Sequence, residues 1–130
     1  MIVDTSALIA ILKSEPGHEK LVRALINDPA PKMSAASAVE LYAVADVRGQ
    51  PAQRRRVDEL IRTLRITIVA FDQDQAIIAR DAYRDFGRGS GHPAKLNLGD
   101  CYSYALAAHT GEPLLFVGND FALTDLQPAI

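Results

Sequence analysis

The chain has little cysteine, no long apolar run and no excess of positive charge. Its single cysteine, Cys101, excludes an intrachain disulfide and agrees with a reducing compartment. Its apolar runs are shorter than the ~20 residues that a membrane span needs. Residues 1–4 lack the basic region that precedes the hydrophobic stretch of a secretory signal. We therefore expect a cytoplasmic protein with no membrane partner.

The charge balance argues against a domain held to nucleic acid by bulk positive charge, since the net charge is −2 and the pI about 5.9. Local basic patches remain possible. A content of 48% hydrophobic and 23% charged residues excludes general disorder and a coiled coil. The length of 130 residues fits one domain, which buries roughly two thirds of the surface of the unfolded chain. We expect a single domain over residues 1–130, without internal repeats.

Strand and helix patterns alternate along the chain. Strands are predicted at residues 1–3, 32–34, 66–71 and 114–117, with a small edge strand within 125–130. Helices are predicted at 7–13, 19–27, 35–48, 51–64, 73–86 and 98–109, and a short helical turn after 120. Alternating elements with short connections are typical of a doubly wound α/β domain with a mainly parallel sheet.

Local sequence signals predict the ends of three helices and the burial of one strand. Residues 66–71 are β-branched and apolar, as expected of a strand covered on both faces. Asp72 with Gln75 resembles a capping box at the start of a helix. Gly49 and Gly111 are expected to end the helices that precede them.

Four acidic residues lie where a strand ends or a helix starts. Asp4 and Asp120 follow predicted strands, Asp100 is in the first turn of a helix, and Glu40 is within the first two turns of another. Each has a structural explanation as a turn, cap or dipole-complementing residue, and Glu40 could form a capping box with Ser37. In a parallel sheet, however, these ends share one edge. Carboxylates gathered there repel unless a hard cation such as Mg²⁺ or Mn²⁺ lies between them.

Four segments around these acids carry a family resemblance. They are residues 2–8 (IVDTSAL), 39–41 (VEL), 96–106 (LNLGDCYSYAL) and 115–121 (LFVGNDF). In this order and spacing they closely resemble the PIN-domain ribonucleases, specifically the VapC toxins of bacterial toxin–antitoxin pairs. The resemblance runs from residue 2 to residue 126. It implies a PIN-like three-layer α/β/α domain with a mainly parallel central sheet.

The resemblance also implies an activity, a metal-dependent endoribonuclease whose acidic positions match Asp4, Glu40, Asp100 and Asp120. Our preferred assignment makes Asp4 and Asp100 direct ligands of Mg²⁺, for which Mn²⁺ substitutes. Glu40 and Asp120 then bind through water, hold a second ion or position the attacking water. Both a one-metal and a two-metal site agree with this assignment. Hard oxygen ligands without a cysteine or histidine cluster favour these ions over zinc.

Two further residues and the partners come from the same resemblance. Asp125 falls where some relatives carry an acid and is ranked as an auxiliary metal ligand. Ser6 matches the small hydroxyl residue that supports the first aspartate. The resemblance further implies the toxin role, a cognate VapB-like antitoxin and a homodimer.

A loop at residues 87–95 and its approaches carry the candidate RNA-binding residues Arg84, Arg88, His92 and Lys95. They could hold an RNA backbone beside the acidic pocket, or simply form a solvated surface. The glycines of this loop follow a helix and lack the Walker ending, so they do not predict a phosphate loop. A thiol nucleophile at Cys101 is disfavoured against core packing, because nothing places a histidine next to it.

Other function classes with an acidic sheet edge fit less well. An aspartyl phosphatase would carry a second aspartate two residues after Asp4, where this chain has Ser6. A receiver-like signalling domain would need paired acids after the first strand. A PIN-fold nuclease of RNA processing that is not a toxin, and a PIN domain that only binds, both remain open.

Overall fold

The computed structural model describes residues 1–48 and 50–130, and its centre is a parallel sheet. The strands are β1 (Ile2–Val3), β2 (Lys32–Ser34), β3 (Thr67–Val69) and β4 (Leu114–Leu115). They form one sheet in the order β3-β2-β1-β4, and every neighbouring pair is parallel. The predicted α/β class and parallel sheet are confirmed, although β3 and β4 are shorter than predicted.

Helices fill the connections between the strands. They are α1 (Thr5–Leu12), α2 (His18–Asn27), α3 (Ala35–Arg48), α4 (Pro51–Thr63), α5 (Gln73–Phe86) and α6 (Leu98–Thr110), followed by a 3₁₀ turn (Phe121–Leu123). Helix α1 begins before the predicted residue 7, because Asp4 caps it by accepting a hydrogen bond from the Ser6 N–H. Gly49, the predicted end of α3, lies outside the described residues. Gly111 ends α6 in the left-handed conformation, with φ +70°.

Both faces of the sheet are covered, which gives three layers. Ile2 and Leu114 belong to a hydrophobic cluster with residues of α5 and α6, whereas Val3 and Leu115 belong to a second cluster with α1 to α4. All four of these strand side chains are fully buried. Successive residues of a strand point to opposite faces, so this alternation places one helical layer on each side.

Strand β3 is at an edge of the sheet, and the prediction that it is covered on both faces is wrong. Thr67 is exposed and Ile68 keeps 38% of its surface exposed. β-Branched residues indicate an extended backbone in central and edge strands alike, so composition could not separate the two positions.

The predicted capping box at the start of α5 forms only in part. Asp72 accepts a hydrogen bond from the Gln75 N–H at 2.9 Å. The Gln75 amide instead donates to the Ala70 carbonyl at 3.0 Å and is buried. The reciprocal bond of a capping box is therefore replaced by one that ties α5 to the end of β3.

The predicted edge strand within residues 125–130 is reduced to one bridge. Leu114 pairs with Pro128 in parallel orientation, and the Ala129 N–H donates to the Leu114 carbonyl at 2.8 Å. A proline cannot donate to a ladder, which explains why pairing does not extend.

The strand order reverses at β1. The chain passes from β1 to β2 and β3 on one side and later returns to β4 on the other side of β1. Ligands of open parallel sheets bind beyond the carboxyl ends of the strands at such a point of reversal. Asp4 directly follows β1 there. In the described part of the chain, no helix has the length and apolar content needed to span a bilayer.

Candidate active site

Asp4 is the most buried acid of the site, with 5% of its surface exposed. Its carboxylate accepts three hydrogen bonds. Oδ2 accepts from the Ser6 N–H at 2.9 Å and from Ser6 Oγ at 2.6 Å, and Oδ1 accepts from Ser103 Oγ at 2.6 Å. The orientation of this carboxylate is thus set by α1 on one side and α6 on the other.

Ser103 and Ser37 form a buried hydroxyl pair beneath the acids, which the sequence interpretation missed. Their oxygens are 3.0 Å apart, and each residue has 1% of its surface exposed. Ser37 therefore does not make the capping box considered for Glu40. A signal was present, because Ser37 precedes Glu40 by three residues and Ser103 follows Asp100 by three, so each serine shares a helix face with an acid.

Asp100 combines a structural role with a perturbed pKa. Its Oδ2 accepts from the Asn97 N–H and its own N–H donates to Asn97 Oδ1, both at 2.8 Å, which is a complete capping box. Burial, followed by the negative charges of Asp4, Asp120 and Glu40, raises the pKa of Asp100 to about 6, against the opposing effect of the Asn97 N–H. Charge effects of this kind require proximity, so the four predicted acids gather at one edge of the sheet.

Glu40 reaches this edge from α3 and lies against the first turn of α6. Burial and then the charge of Asp4 raise the pKa of Glu40, while the nearby Thr5 hydroxyl acts in the opposite direction. A Cβ atom added at Gly99 would overlap Glu40 Oε2 and lie 3.0 Å from its Cδ. Gly99 is therefore a second site residue that the sequence interpretation missed, and it leaves the space that the Glu40 carboxylate occupies.

Asp120 and Asp125 occupy different environments. Asp120 is exposed at the start of the 3₁₀ turn and makes no side-chain cap hydrogen bond, so the capping explanation does not account for it. Asp125 Oδ1 accepts a hydrogen bond from the Tyr104 hydroxyl at 2.7 Å. Asp120 lies near enough to Asp100 for its charge to raise the pKa of Asp100, whereas Asp125 is not among the carboxylates that do so.

The donor set fits a magnesium-type ion that keeps much of its water. Across residues 1–48 and 50–130, no three Asp, Glu, His or Cys side chains converge closely enough to enclose a metal directly. Mg²⁺ commonly keeps several waters and is held by one or two carboxylates, so a closed cage is not required. Carboxylates close enough for their charges to raise the pKa of Glu40 and of Asp100, without histidine or thiolate among them, match such a hard cation.

The basic candidates for RNA binding differ in how free they are. Arg84 forms ion pairs with Asp85 at 2.9 Å and Asp81 at 3.4 Å, so its guanidinium is already neutralised locally. Arg88 and Lys95 are exposed and form no ion pair among the described residues. These two are the better candidates for phosphate contacts.

His92 has a role within the loop itself. Its Nδ1 accepts from the Ala94 N–H at 3.1 Å, and its ring packs edge-on against Phe86 with centroids 4.9 Å apart. The Ser90 hydroxyl adds a bond to the Gly87 carbonyl at 2.6 Å. The loop thus has defined internal contacts, and His92 contributes to them.

Cys101 is buried within α6, with its side chain in the core. Burial, and then the charge of Asp100, raises the pKa of this thiol to about 11. The thiol stays protonated near neutral pH, which removes it as a nucleophile.

Comparison with known proteins identifies the family. A family model described as PIN domain matches residues 1–126. Ribonuclease VapC42 of Mycobacterium tuberculosis is 56% identical over 129 residues, which cover 99% of this chain and 98% of the relative. Ribonuclease VapC28 of the same species is 50% identical over 130 residues, covering 100% and 98%.

A solved structure supports the fold at lower identity. A toxin–antitoxin complex from Klebsiella pneumoniae contains a chain that superposes with a TM-score of 0.71 at 21% identity, covering 93% of this chain and 89% of that one. Identities of 56% and 50% to ribonucleases over nearly the full chain confirm the resemblance seen in the motifs, and with it the predicted endoribonuclease class. The chain belongs to the PIN-domain family, among the VapC ribonucleases.

Proposed function

We propose that this protein, as one domain, hydrolyses RNA phosphodiester bonds with Mg²⁺ at the edge formed by its four acids, and that it acts as a toxin. The observation that carries the proposal is that Asp4, Glu40 and Asp120 lie near enough to Asp100 for their charges to add to the effect of burial in raising its pKa. Segments far apart in the sequence thus concentrate negative charge beyond the carboxyl end of β1. Such a concentration is unfavourable without a cation.

Asp4 and Asp100 are assigned as the direct ligands. Each retains acceptor capacity on Oδ1, since Asp100 uses Oδ2 for the Asn97 N–H, and Asp4 Oδ1 accepts one hydrogen bond, from Ser103, and keeps a second acceptor site. Bound Mg²⁺, or Mn²⁺ in its place, would neutralise the phosphodiester and lower the pKa of a bound water.

Glu40 and Asp120 are assigned to the water and to any second ion. Glu40 lies near enough to Asp4 for that charge to contribute to its raised pKa, so its carboxylate is placed to orient, and accept a proton from, a water bound to an ion at Asp4. Asp120 is exposed and is therefore able to act through water. Asp125 stays an auxiliary position, held by Tyr104.

The RNA backbone is assigned to the loop that precedes α6. Arg88 and Lys95 are exposed there, and positive charge is needed to bring an anionic substrate to an acidic pocket. Arg84 and His92 contribute less directly, because one is paired with acids and the other packs within the loop.

The toxin role comes with a partner and an assembly. Relatives at 50% and 56% identity are named as VapC ribonucleases, and a structural neighbour is titled a toxin–antitoxin complex. A free ribonuclease damages its own cell, so we propose a VapB-like antitoxin that covers apolar surface and competes for the acidic pocket. An arginine suits that competition, because its guanidinium pairs with carboxylates in bidentate fashion. We further propose a homodimer that acts in the cytoplasm.

Expression in bacteria tests the toxin role together with the nuclease. The wild-type chain alone should arrest growth, and both Asp4→Ala and co-expression of the antitoxin encoded beside it should relieve the arrest. Asp58→Asn, which removes an exposed acid from α4, is the matched control and should remain toxic. Purified protein should cut RNA with Mg²⁺ or Mn²⁺ and not with a chelator.

The negative outcomes separate the alternatives. A harmless protein that still cuts RNA would be a nuclease of RNA processing. A protein that binds Mn²⁺ and RNA without cutting would be a binding-only PIN domain.

A further inference from the structure

The buried hydroxyl groups of Ser37 and Ser103 form a chain of hydrogen bonds that ends at Asp4, and each hydroxyl donates toward the carboxylate. The Ser103 hydroxyl has one proton, which it donates to Asp4 Oδ1 at 2.6 Å. The Ser37 hydroxyl lies 3.0 Å from Ser103 Oγ and must therefore be the donor of that second bond. We propose that Ser103, itself oriented by Ser37, is a positioning residue that aims the Asp4 carboxylate at the metal.

The hydrogen bonds leave Asp4 with one open acceptor site. A carboxylate offers about four lone-pair sites, two on each oxygen. The Ser6 N–H and hydroxyl occupy both sites of Oδ2, and Ser103 occupies one site of Oδ1. The Ser6 hydroxyl is itself fixed, because it accepts from the Val117 N–H at 3.1 Å. The remaining site on Oδ1 is the one through which Asp4 would bind the ion.

The same pair joins the helices that carry the other acids. Ser37 lies one turn before Glu40 on α3, and Ser103 lies one turn after Asp100 on α6. The Ser37–Ser103 bond therefore connects α3 to α6 directly beneath the carboxylates. It fixes the relative positions of the elements that bear Asp4, Glu40 and Asp100.

Packing alone does not explain two hydroxyls at these positions. Each serine has 1% of its surface exposed, and burying a hydroxyl costs free energy that its hydrogen bond only about offsets. Alanine would fill nearly the same space without that cost. The benefit of the hydroxyls is then the orientation of Asp4, a conclusion that rests on the proposed function because it requires Asp4 to be a metal ligand.

Metal binding without RNA tests this inference apart from catalysis. The Mn²⁺ affinity of the full chain would be measured by calorimetry and electron paramagnetic resonance for wild type, Ser103→Ala, Ser103→Thr and Ser37→Ala. Ser103→Ala should weaken Mn²⁺ binding by about tenfold, as is typical for loss of an outer-shell partner of a ligand. Ser103→Thr keeps a hydroxyl and should recover most of the affinity. Ser37→Ala should give a smaller loss.

Two further variants isolate the path through Asp4. Thr110→Ala removes a hydroxyl from the same helix whose hydrogen bonds, to the Leu106 and Ala107 carbonyls and from the Glu112 N–H, do not involve the acids of the site, and it should bind Mn²⁺ as wild type does. Adding Ser103→Ala to Asp4→Asn should cause no further loss, because the serine acts through that carboxylate. In cleavage assays, Ser103→Ala should raise the Mg²⁺ concentration for half-maximal rate and leave KM for RNA unchanged.

The outcomes distinguish this inference from the function beneath it. Wild-type Mn²⁺ affinity in Ser103→Ala, with a loss in Asp4→Asn, would overturn the positioning role and leave the proposed function intact. Wild-type affinity in Asp4→Asn as well would overturn both. If circular dichroism shows that Ser103→Ala does not fold, unchanged Mn²⁺ affinity in Ser37→Ala would overturn the positioning role.

Discussion

The carboxylate of Glu40 occupies the space where any residue but glycine at position 99 would place its Cβ atom. Helices α3 and α6 meet at this point, and the acid of one lies over the first turn of the other. Gly99 is thus required by the position of the Glu40 side chain.

Replacing Gly99 by alanine should separate activity from stability. The main overlap falls on the end of the flexible Glu40 side chain, and Asn97 Oδ1, 3.2 Å from the added Cβ, needs only a small shift, so the melting temperature should change little. Displacing the Glu40 carboxylate should lower RNA cleavage about tenfold, a loss of ~1.4 kcal/mol in transition-state stabilisation. The effect should vanish in a Glu40→Ala background. A fully active Gly99→Ala variant would show that the observed position of Glu40 is not needed.

Asp4→Asn and Asp100→Asn should each lower cleavage by at least about 100-fold, or ~2.7 kcal/mol. Both variants should stay folded, because the asparagine oxygen still accepts, as from the Asn97 N–H at residue 100, and at residue 4 the amide NH₂ would donate to a serine hydroxyl that can rotate to accept. Cleavage assays in Mg²⁺ and in Mn²⁺, with circular dichroism as the folding control, provide the measurement. Retention of more than a tenth of the wild-type rate would remove that residue from the direct ligands.

The raised pKa of Asp100 should make the metal-free protein less stable as pH rises from about 4 to about 6. Asp100 has a pKa of about 6 in the folded state, above the ~3.9 of an unfolded aspartate. Between these values the folded state binds more protons, so the free energy of unfolding falls as pH increases. The penalty is absent below about pH 4 and complete above about pH 6, and the raised pKa of Glu40 acts in the same direction.

Thermal melts in a chelator at pH 5 and pH 7.5 test this dependence. The melting temperature should be higher at pH 5, and Asp100→Asn should reduce the difference by raising the value at pH 7.5. Adding Mg²⁺ at pH 7.5 should raise the wild-type value too. Asp58→Asn is the control for removal of an exposed carboxylate. An Asp100→Asn variant with the full wild-type pH dependence would contradict the charge coupling.

The loop before α6 should contribute to RNA affinity through charge. Arg88→Ala combined with Lys95→Ala should weaken RNA binding and reduce the slope of log affinity against log salt by about 1.4, or ~0.7 for each lost phosphate contact. Mn²⁺ affinity should not change. Arg55→Ala with Arg62→Ala, which removes two exposed arginines from α4, is the matched control and should leave RNA affinity unchanged. If the double variant binds RNA as tightly as wild type at both of two salt concentrations, the loop does not contact the RNA.

The sequence by itself determined the element order and the acidic set. Alternating periodicities located the helices and strands, and the placement of Asp4 and Asp120 after strands identified the edge where charge would gather. These features are local or follow from parallel topology, so a single sequence is sufficient to predict them. The ordered motifs then indicated the family that comparison confirms.

Tertiary structure decided what the local pattern leaves ambiguous. The exposure of β3 depends on which strands lie beside it, and β-branched residues do not encode their neighbours. The bond from Ser103 to Asp4 joins residues 99 positions apart, and the contact of Glu40 with Gly99 joins two helices. Such contacts arise only when distant elements pack at one edge, because a hydroxyl or a missing Cβ has no periodic signal of its own. The sequence thus identified the four candidate acids, and the packing of α1, α3 and α6 determined the contacts that orient their carboxylates.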